Sequence, residues 1–285
     1  MRFSHVEDST GRGGLVVDTG DGFCGRWSDE PQYPGDLLAL LREGADAMSR
    51  AASALSAGEP VDLEKVMLKP PVSRPEKILC AGLNFREHIT ESGFEAPKVA
   101  EFFGRFGSSL IGHGEPLLRP RESDQLDFEG ELAVIIGKRG RRVAREVALE
   151  HVAGYSVFND GSIRDVQFAT SQWTLGKNFD GTGAFGPAMV TADAIPPGAQ
   201  GLRLTTRLNG DIVQDASLDD MIFGVSDLIA TLTEAMTLEP GDVIVCGTPS
   251  GVGFARKPPL FMAPGDVCEV EIEQIGLLRN PITQD

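Results

Sequence analysis

The chain has 285 residues, 41% of them hydrophobic, enough to bury a full core as one large domain or as one domain with a smaller appendage. Its 42 acidic residues against 26 basic ones give a formal net charge of −16. That balance argues against sequence-independent binding to nucleic acid or to an anionic membrane, both of which need basic patches. Cys24, Cys80, Cys246 and Cys268 form no Cys-x-x-Cys pair and no Cys/His cluster, so a reducing compartment fits better than disulfides or structural zinc. The first residues lack an apolar signal core and no segment reaches transmembrane length, so the expectation is a cytoplasmic protein.

Residues 1–70 read as a small N-terminal α/β subdomain, and residues 71–285 as the main domain. Gly13 to Asp18 is a short strand between glycine turns. Asp36 is placed to cap a helix from Leu37 to about Leu55, with Leu37, Leu40, Leu41, Ala45 and Met48 at helical spacing. Pro60, Pro70, Pro71 and Pro75 punctuate the connector that follows. Nothing in this part carries obvious chemistry.

From Lys77 onward, short strands and tight turns dominate. The strand Lys77 to Gly82 leads into Asn84, which can cap a short helix carrying His88 and Glu91 one turn apart. Such a pair suits a general base with an orienting carboxylate, and equally an ordinary surface ion pair. Arg105 lies in an aromatic, glycine-rich stretch, as either a buried cation or a rim charge. Asp127, Glu129 and Glu131 precede the apolar run Leu132 to Ile136 and, on one continuous strand, would share a face. Three stacked carboxylates read either as a solvated edge or as a site for a hard cation. Asp160 stands at the end of another apolar strand, with Arg164 and Gln167 one and two turns later. Asp160 is a turn former or a third carboxylate. Lys177, inside a polar-aromatic loop, is a substrate clamp or a solvated lysine. Asn209-Gly210 signals a hairpin, and Met221 to Met236 has helical spacing. Thr248 lies in the glycine-rich turn after the strand at Val243, a turn able to offer N–H groups and a hydroxyl to an anion.

Taken together and in order, these segments resemble the fumarylacetoacetate hydrolase family. The resemblance rests on Gly82-Leu-Asn-Phe-Arg-Glu-His88 with Glu91, Ser109-Leu-Ile-Gly112, Asp127-Phe-Glu-Gly-Glu-Leu-Ala133 and Asn159-Asp160. It continues through Arg164-Asp-Val-Gln167, Gly176-Lys177, Gly186-Pro187, Pro240-Gly-Asp242 and Gly247-Thr-Pro-Ser-Gly-Val-Gly253, spanning roughly residues 77 to 280.

The resemblance implies an α+β, mostly β fold: a mixed-sheet β-roll or β-sandwich with the small N-terminal subdomain attached, usually paired as a homodimer. It implies Mg²⁺ or Mn²⁺ held by Glu129, Glu131 and Asp160. It also implies a His88–Glu91 dyad on a lid helix, Lys177 as a catalytic cation, and Arg105, Arg164, Gln167 and Thr248 as substrate contacts. Many members carry lysine where this chain has Arg105, a departure that matters because arginine forks where lysine is a point charge. The expected activity is hydrolysis of a C–C bond in a β-diketone or acylpyruvate-type 2-oxo acid through a metal-stabilised enolate. The alternative is a decarboxylase, or an isomerase or hydratase, of a short oxo-dicarboxylate such as oxaloacetate or an intermediate of aromatic catabolism. A non-catalytic metal-binding β-roll is the alternative of a different class. Specificity is expected in the N-terminal subdomain, the lid between Asn84 and Phe103, and the loop from Asn178 to Phe185.

Overall fold

The computed structural model describes residues 1–93, 95 and 97–285, so two positions of the expected lid, Phe94 and Ala96, lie outside the described residues. The main sheet runs through Glu59–Pro60, Phe23–Trp27, Gly13–Asp18, Arg2–Glu7, Gly183–Thr191, Val152–Asp160, Gly130–Ile136, Val243–Val245, Ile78–Gly82 and Glu101–Arg105. Met67–Lys69 and Leu110–Ile111 pair off this path. Most neighbours are antiparallel, but Val243–Val245 lies parallel to Ile78–Gly82, so the sheet is mixed. A second sheet is ordered Asp211–Ser217, Arg203–Leu208, Val267–Ile272, Gly276–Gln284 and Leu117–Arg119. The strands of residues 1–70 join the main sheet through Arg2 opposite Val190 and Phe3 opposite Met189. No helix among the described residues is long and apolar enough to cross a membrane.

The strand Gly130–Ile136 is buried along its whole length, and its period-two alternation feeds two cores. Leu132, Val134 and Ile136 pack with Leu204, Val270 and Leu278 of the second sheet and with the helix Val225–Ala235. Ala133 and Ile135 face the opposite way, with Phe158, Phe185 and Met189, beneath helices α1, Leu37–Glu43, and α2, Ala45–Ser56. The same alternation explains the residue between the two glutamates. A Cβ on Gly130 would stand 2.2 Å from Thr206 Oγ1 and 2.9 Å from Val270 Cγ1, so the second sheet packs directly on backbone there. Glu131 therefore belongs to the other face.

Three local expectations are corrected. The helix from Leu37 to Leu55 is two helices: Asp36 caps α1 through Ala39 N–H at 2.8 Å, and Gly44, with φ 98°, turns the chain before α2 begins. Asn84 does not cap helix α3, Arg86–Ser92, whose N-cap is Phe85. Its amide instead donates to Cys246 O at 2.7 Å and Phe223 O at 3.0 Å and accepts from Phe223 N–H at 2.9 Å. Asp127 does not share a strand with Glu131, because the chain breaks at Phe128 and Glu129 between the separate strands Leu126–Asp127 and Gly130–Ile136. The hairpin at Asn209 and Gly210 is as read, with both residues at positive φ between Arg203–Leu208 and Asp211–Ser217.

The Gly130 contact gives a direct check. Gly130→Ala forces a methyl group against Thr206 Oγ1, and the expected loss is about 1–3 kcal/mol of unfolding free energy. Denaturant unfolding of this variant beside wild type measures it, and an unchanged midpoint would refute the packing argument.

Candidate active site

Glu129, Glu131 and Asp160 converge at the end of the main sheet, each buried, with one carboxylate oxygen apiece lying within 4.8 Å of the others. Register explains the convergence. Glu131 sits opposite Phe158, and Asp160, two residues beyond Phe158, returns to the same face. Asn159, on the other face, holds Glu129 in place by accepting its N–H at 3.0 Å. Asp160 is the last residue of the strand Val152–Asp160, which runs two residues further than the sequence suggests.

Four buried carboxylates, counting Asp127, stand against three buried cations, Arg105, Arg164 and Lys177. Lys177 Nζ bridges two of the three cluster members, bonding Glu129 Oε2 and reaching Asp160 Oδ2 at 2.6 Å. Arg105 Nη1 bonds the other oxygen of Asp160, while Nε reaches Ser109 at 3.1 Å and Nη2 reaches Thr182 at 2.7 Å. Arg164 pairs with Asp127 at 2.8 Å and with Glu129 Oε1 at 2.7 Å.

Burial by itself would raise the Glu129 carboxyl, but Lys177 and Arg164 more than offset it and hold it at about 2. Lys177 runs the other way: burial opposes its charge, yet Asp160 and Glu129 keep its ammonium above the ordinary lysine value. Glu131 is different. Among the described residues it forms no ion pair, its bond being from Gly247 N–H at 2.5 Å. Burial, then the charges of Asp160 and Glu129, push its carboxyl well above the usual range. A cluster of three buried carboxylate donors with one lacking a countercharge fits a hard divalent cation, which takes oxygen ligands and supplies the missing positive charge.

His88 and Glu91 lie on α3, with His88 Nδ1 3.1 Å from Glu91 Oε1. The Glu91 carboxylate also accepts from Gly251 N–H at 2.9 Å, and Glu87 on the same helix accepts from Ser250 at 3.1 Å. Two acidic side chains thus latch α3 onto the glycine-rich turn after Val243–Val245. The same turn reaches the carboxylates from behind, since Gly253 and Phe254 N–H donate to Asp127 at 2.8 and 3.0 Å.

Among the described residues, those lining the cavity run from Ala81 to Phe254 and include His88, Glu129, Glu131, Arg164, Gln167, Lys177 and Thr248. None of residues 1–70 lines it. Asp160 lies behind Lys177. Arg105 does not face the cavity as a substrate contact: Asp160, Gly161, Ser109 and Thr182 occupy its guanidinium. Thr248 lines the cavity, yet its hydroxyl donates to Gly130 O at 3.0 Å and accepts from Gln214 at 2.8 Å. Gln214 was missed by sequence reasoning. It bridges Gly130 N–H at 2.9 Å to Thr248 and to Pro249 O at 2.9 Å, and only its place on a strand of the second sheet brings it there.

These contacts predict two outcomes. In differential scanning fluorimetry, Mn²⁺ or Mg²⁺ at about 100 times its dissociation constant should stabilise the chain by roughly 2.7 kcal/mol, and chelation should remove the effect. Glu131→Gln should abolish that gain, and an equal gain in the variant would refute Glu131 as a ligand. Arg105→Met, which leaves the buried Asp160 carboxylate without one of its two cations, should cost about 3–5 kcal/mol in denaturant unfolding, whereas a loss near zero would show that Lys177 alone suffices.

Comparison with known proteins bears on the same residues. The family described as fumarylacetoacetate (FAA) hydrolase C-terminal matches residues 77–283. The mitochondrial oxaloacetate tautomerase of Xenopus laevis is 38% identical over 285 residues, covering 99% of this chain and 89% of that protein. Among solved structures, fumarylacetoacetate hydrolase from Exiguobacterium antarcticum superposes with a TM-score of 0.84 at 35% identity, covering 100% of both chains. The 2-hydroxyhepta-2,4-diene-1,7-dioate isomerase of Mycobacterium marinum gives a TM-score of 0.77 at 28% identity, covering 100% of this chain and 99% of that one. The mixed two-sheet fold and the ordered motifs are thus those of an enzyme family with hydrolase, isomerase and tautomerase members, and this chain belongs to the fumarylacetoacetate hydrolase family.

Proposed function

We propose that this protein interconverts the enol and keto forms of a short 2-oxo-dicarboxylic acid, with oxaloacetate as the leading substrate. The observation that carries the reading is that one base and the carboxylate cluster meet in one cavity: His88, engaged by Glu91, lines it together with Glu129 and Glu131. Moving a proton within one small acid needs only the acid, the cation and that base, whereas hydrolysis needs an attacking water and an acyl arm as well. The likeness to oxaloacetate tautomerases over nearly the whole chain supports the same choice.

In this reading Glu129, Glu131 and Asp160 hold Mg²⁺ or Mn²⁺, which when bound polarises the 2-oxo group and favours the enolate. His88, oriented by Glu91 at Nδ1, is the base that takes the proton from C3 of the keto form. The electrons of that C–H bond become the C2–C3 double bond, and negative charge moves to the C2 oxygen. Lys177 lines the cavity, and its ammonium is the cation that stabilises this developing charge. Returning the proton from His88 to the C2 oxygen completes the enol. Gln167 accepts from Arg164 Nη1 at 2.8 Å, which orients its amide to donate to the substrate carboxylate. Entry and exit require α3 to swing off the turn that Glu91 and Glu87 hold.

The second reading, C–C hydrolysis of an acylpyruvate, has one observation in its favour: the likeness to fumarylacetoacetate hydrolase at a TM-score of 0.84. The two readings separate in one assay. Enol-oxaloacetate mixed with Mg²⁺- or Mn²⁺-loaded protein should lose its ultraviolet absorbance faster than in buffer, with no new acid formed. His88→Ala should lower that rate by about 10²–10⁴-fold. A wild-type rate equal to buffer, together with cleavage of an acylpyruvate into two acids, would replace the tautomerase by the hydrolase.

A further inference from the structure

The glycine that ends the strand Ile78–Gly82 is forced by a ring. A Cβ on Gly82 would stand 2.6 Å from Trp173 Cζ3 and 3.1 Å from its Cη2, so the indole lies directly on the backbone at the cavity wall. Phe103, on the neighbouring strand Glu101–Arg105, packs edge-on against Trp173 with ring centroids 5.5 Å apart. Phe103 in turn carries Lys177 Nζ 5.1 Å from its own centroid. The loop that bears Trp173 is tied down as well. Lys177 N–H donates to Trp173 O at 3.2 Å and Asn178 Nδ2 donates to Thr174 O at 2.7 Å. Ile163 N–H holds Gly176 O at 2.8 Å, where a Cβ on Gly176 would lie 2.5 Å from the Gln167 backbone. The indole is therefore wedged between a strand, a second ring and an anchored loop, and it lines the cavity with Gly82 and Phe103.

We infer that Trp173, backed by Phe103, is the residue that limits how long an acid the site accepts, restricting it to compact 2-oxo acids and excluding extended acyl arms. The inference rests on the reading of the site as one for 2-oxo acids. An arm reaching along this wall meets the indole, which Gly82, Phe103 and the tied loop hold in place. Trp173 acts on affinity for chain length, through shape, and takes no part in proton transfer.

The test is binding, not turnover. Isothermal titration of the full chain with Mn²⁺ present follows a straight series of 2-oxo acids from pyruvate to 2-oxooctanoate. Wild type should bind the short acids and weaken by about tenfold or more once the arm must pass the indole, the scale that one or two misfitted methylene groups produce. Trp173→Ala should remove at least about tenfold of that discrimination while binding pyruvate within a few-fold of wild type. Trp173→Phe, a milder change that serves if the alanine variant does not fold, should fall between. A long-to-short affinity ratio that is the same in variant and wild type overturns the inference, including the case where both acids weaken together. Wild-type binding of the whole series with equal affinity, or of none of it, also overturns it. Failure of the tautomerase reading has a different signature: normal length discrimination in titration with no acceleration of enol-oxaloacetate decay.

Discussion

Asp160 lies between two cations. Arg105 bonds one carboxylate oxygen and Lys177 bonds the other, and both cations are themselves almost wholly buried. An unpaired charge at such depth would cost several kcal/mol, so the positions of these groups are coupled. The coupling extends outward, since Lys177 also bonds Glu129, Glu129 pairs with Arg164, and Arg164 pairs with Asp127. Asp127 closes the chain by accepting the N–H groups of Gly253 and Phe254. Charge is thus balanced pairwise until Glu131, which has a backbone N–H as its bonding partner. The network is short of one positive charge at the atom that faces the cavity, and that deficit is the physical basis for expecting a cation there.

The sheet makes this arrangement possible by keeping its two faces chemically separate. On one face Gly130 meets Thr206 and Asn159 meets Cys268, so the second sheet comes down on backbone and small polar groups. On the other, Glu131 and Asp160 stand beside Phe158, at the rim of the core beneath α1 and α2. Glycine between two glutamates is thus a packing requirement that also fixes where the carboxylates point. Gln214 binds the two layers at this point, since it joins Gly130 of the main sheet to Thr248 and Pro249 of the turn.

How far the sequence reveals such a site depends on whether a residue's partner is near it in the chain. The His88–Glu91 contact is one helical turn apart, and the spacing predicts it. The apolar run after Glu131 marks a buried strand, and the hairpin at Asn209 and Gly210 follows from residues that tolerate positive φ. Arg105 is unreadable in the same way because its partner Asp160 is 55 positions away. Its neighbours leave a buried cation and a rim charge both open, and only the folded chain shows it turned inward onto Asp160. Asn84 illustrates the opposite error: local reasoning offers a helix cap, while bonds to Phe223 and Cys246, 139 and 162 positions distant, satisfy its amide. Asp127 was misplaced because period-two reasoning assumes an unbroken strand, and the chain breaks at Phe128. Gly44 shows the same limit in a helix, where apolar spacing continues across a residue that turns the chain.

The aromatic walls and the cations of the site are one construction. Phe103 lies under Lys177, and Phe254 lies 4.4 Å from the Arg164 guanidinium, so each ring supports the cation that holds Glu129 from its own side. Each ring is itself braced by a second aromatic, Trp173 against Phe103 and Phe168 against Phe254. Moving Phe103 or Phe254 would therefore disturb the position of a charge that the carboxylates need, whereas Trp173 bounds the cavity one contact further out. Because ring and cation share one contact, the volume open to a substrate and the electrostatics that act on it are set by the same side chains.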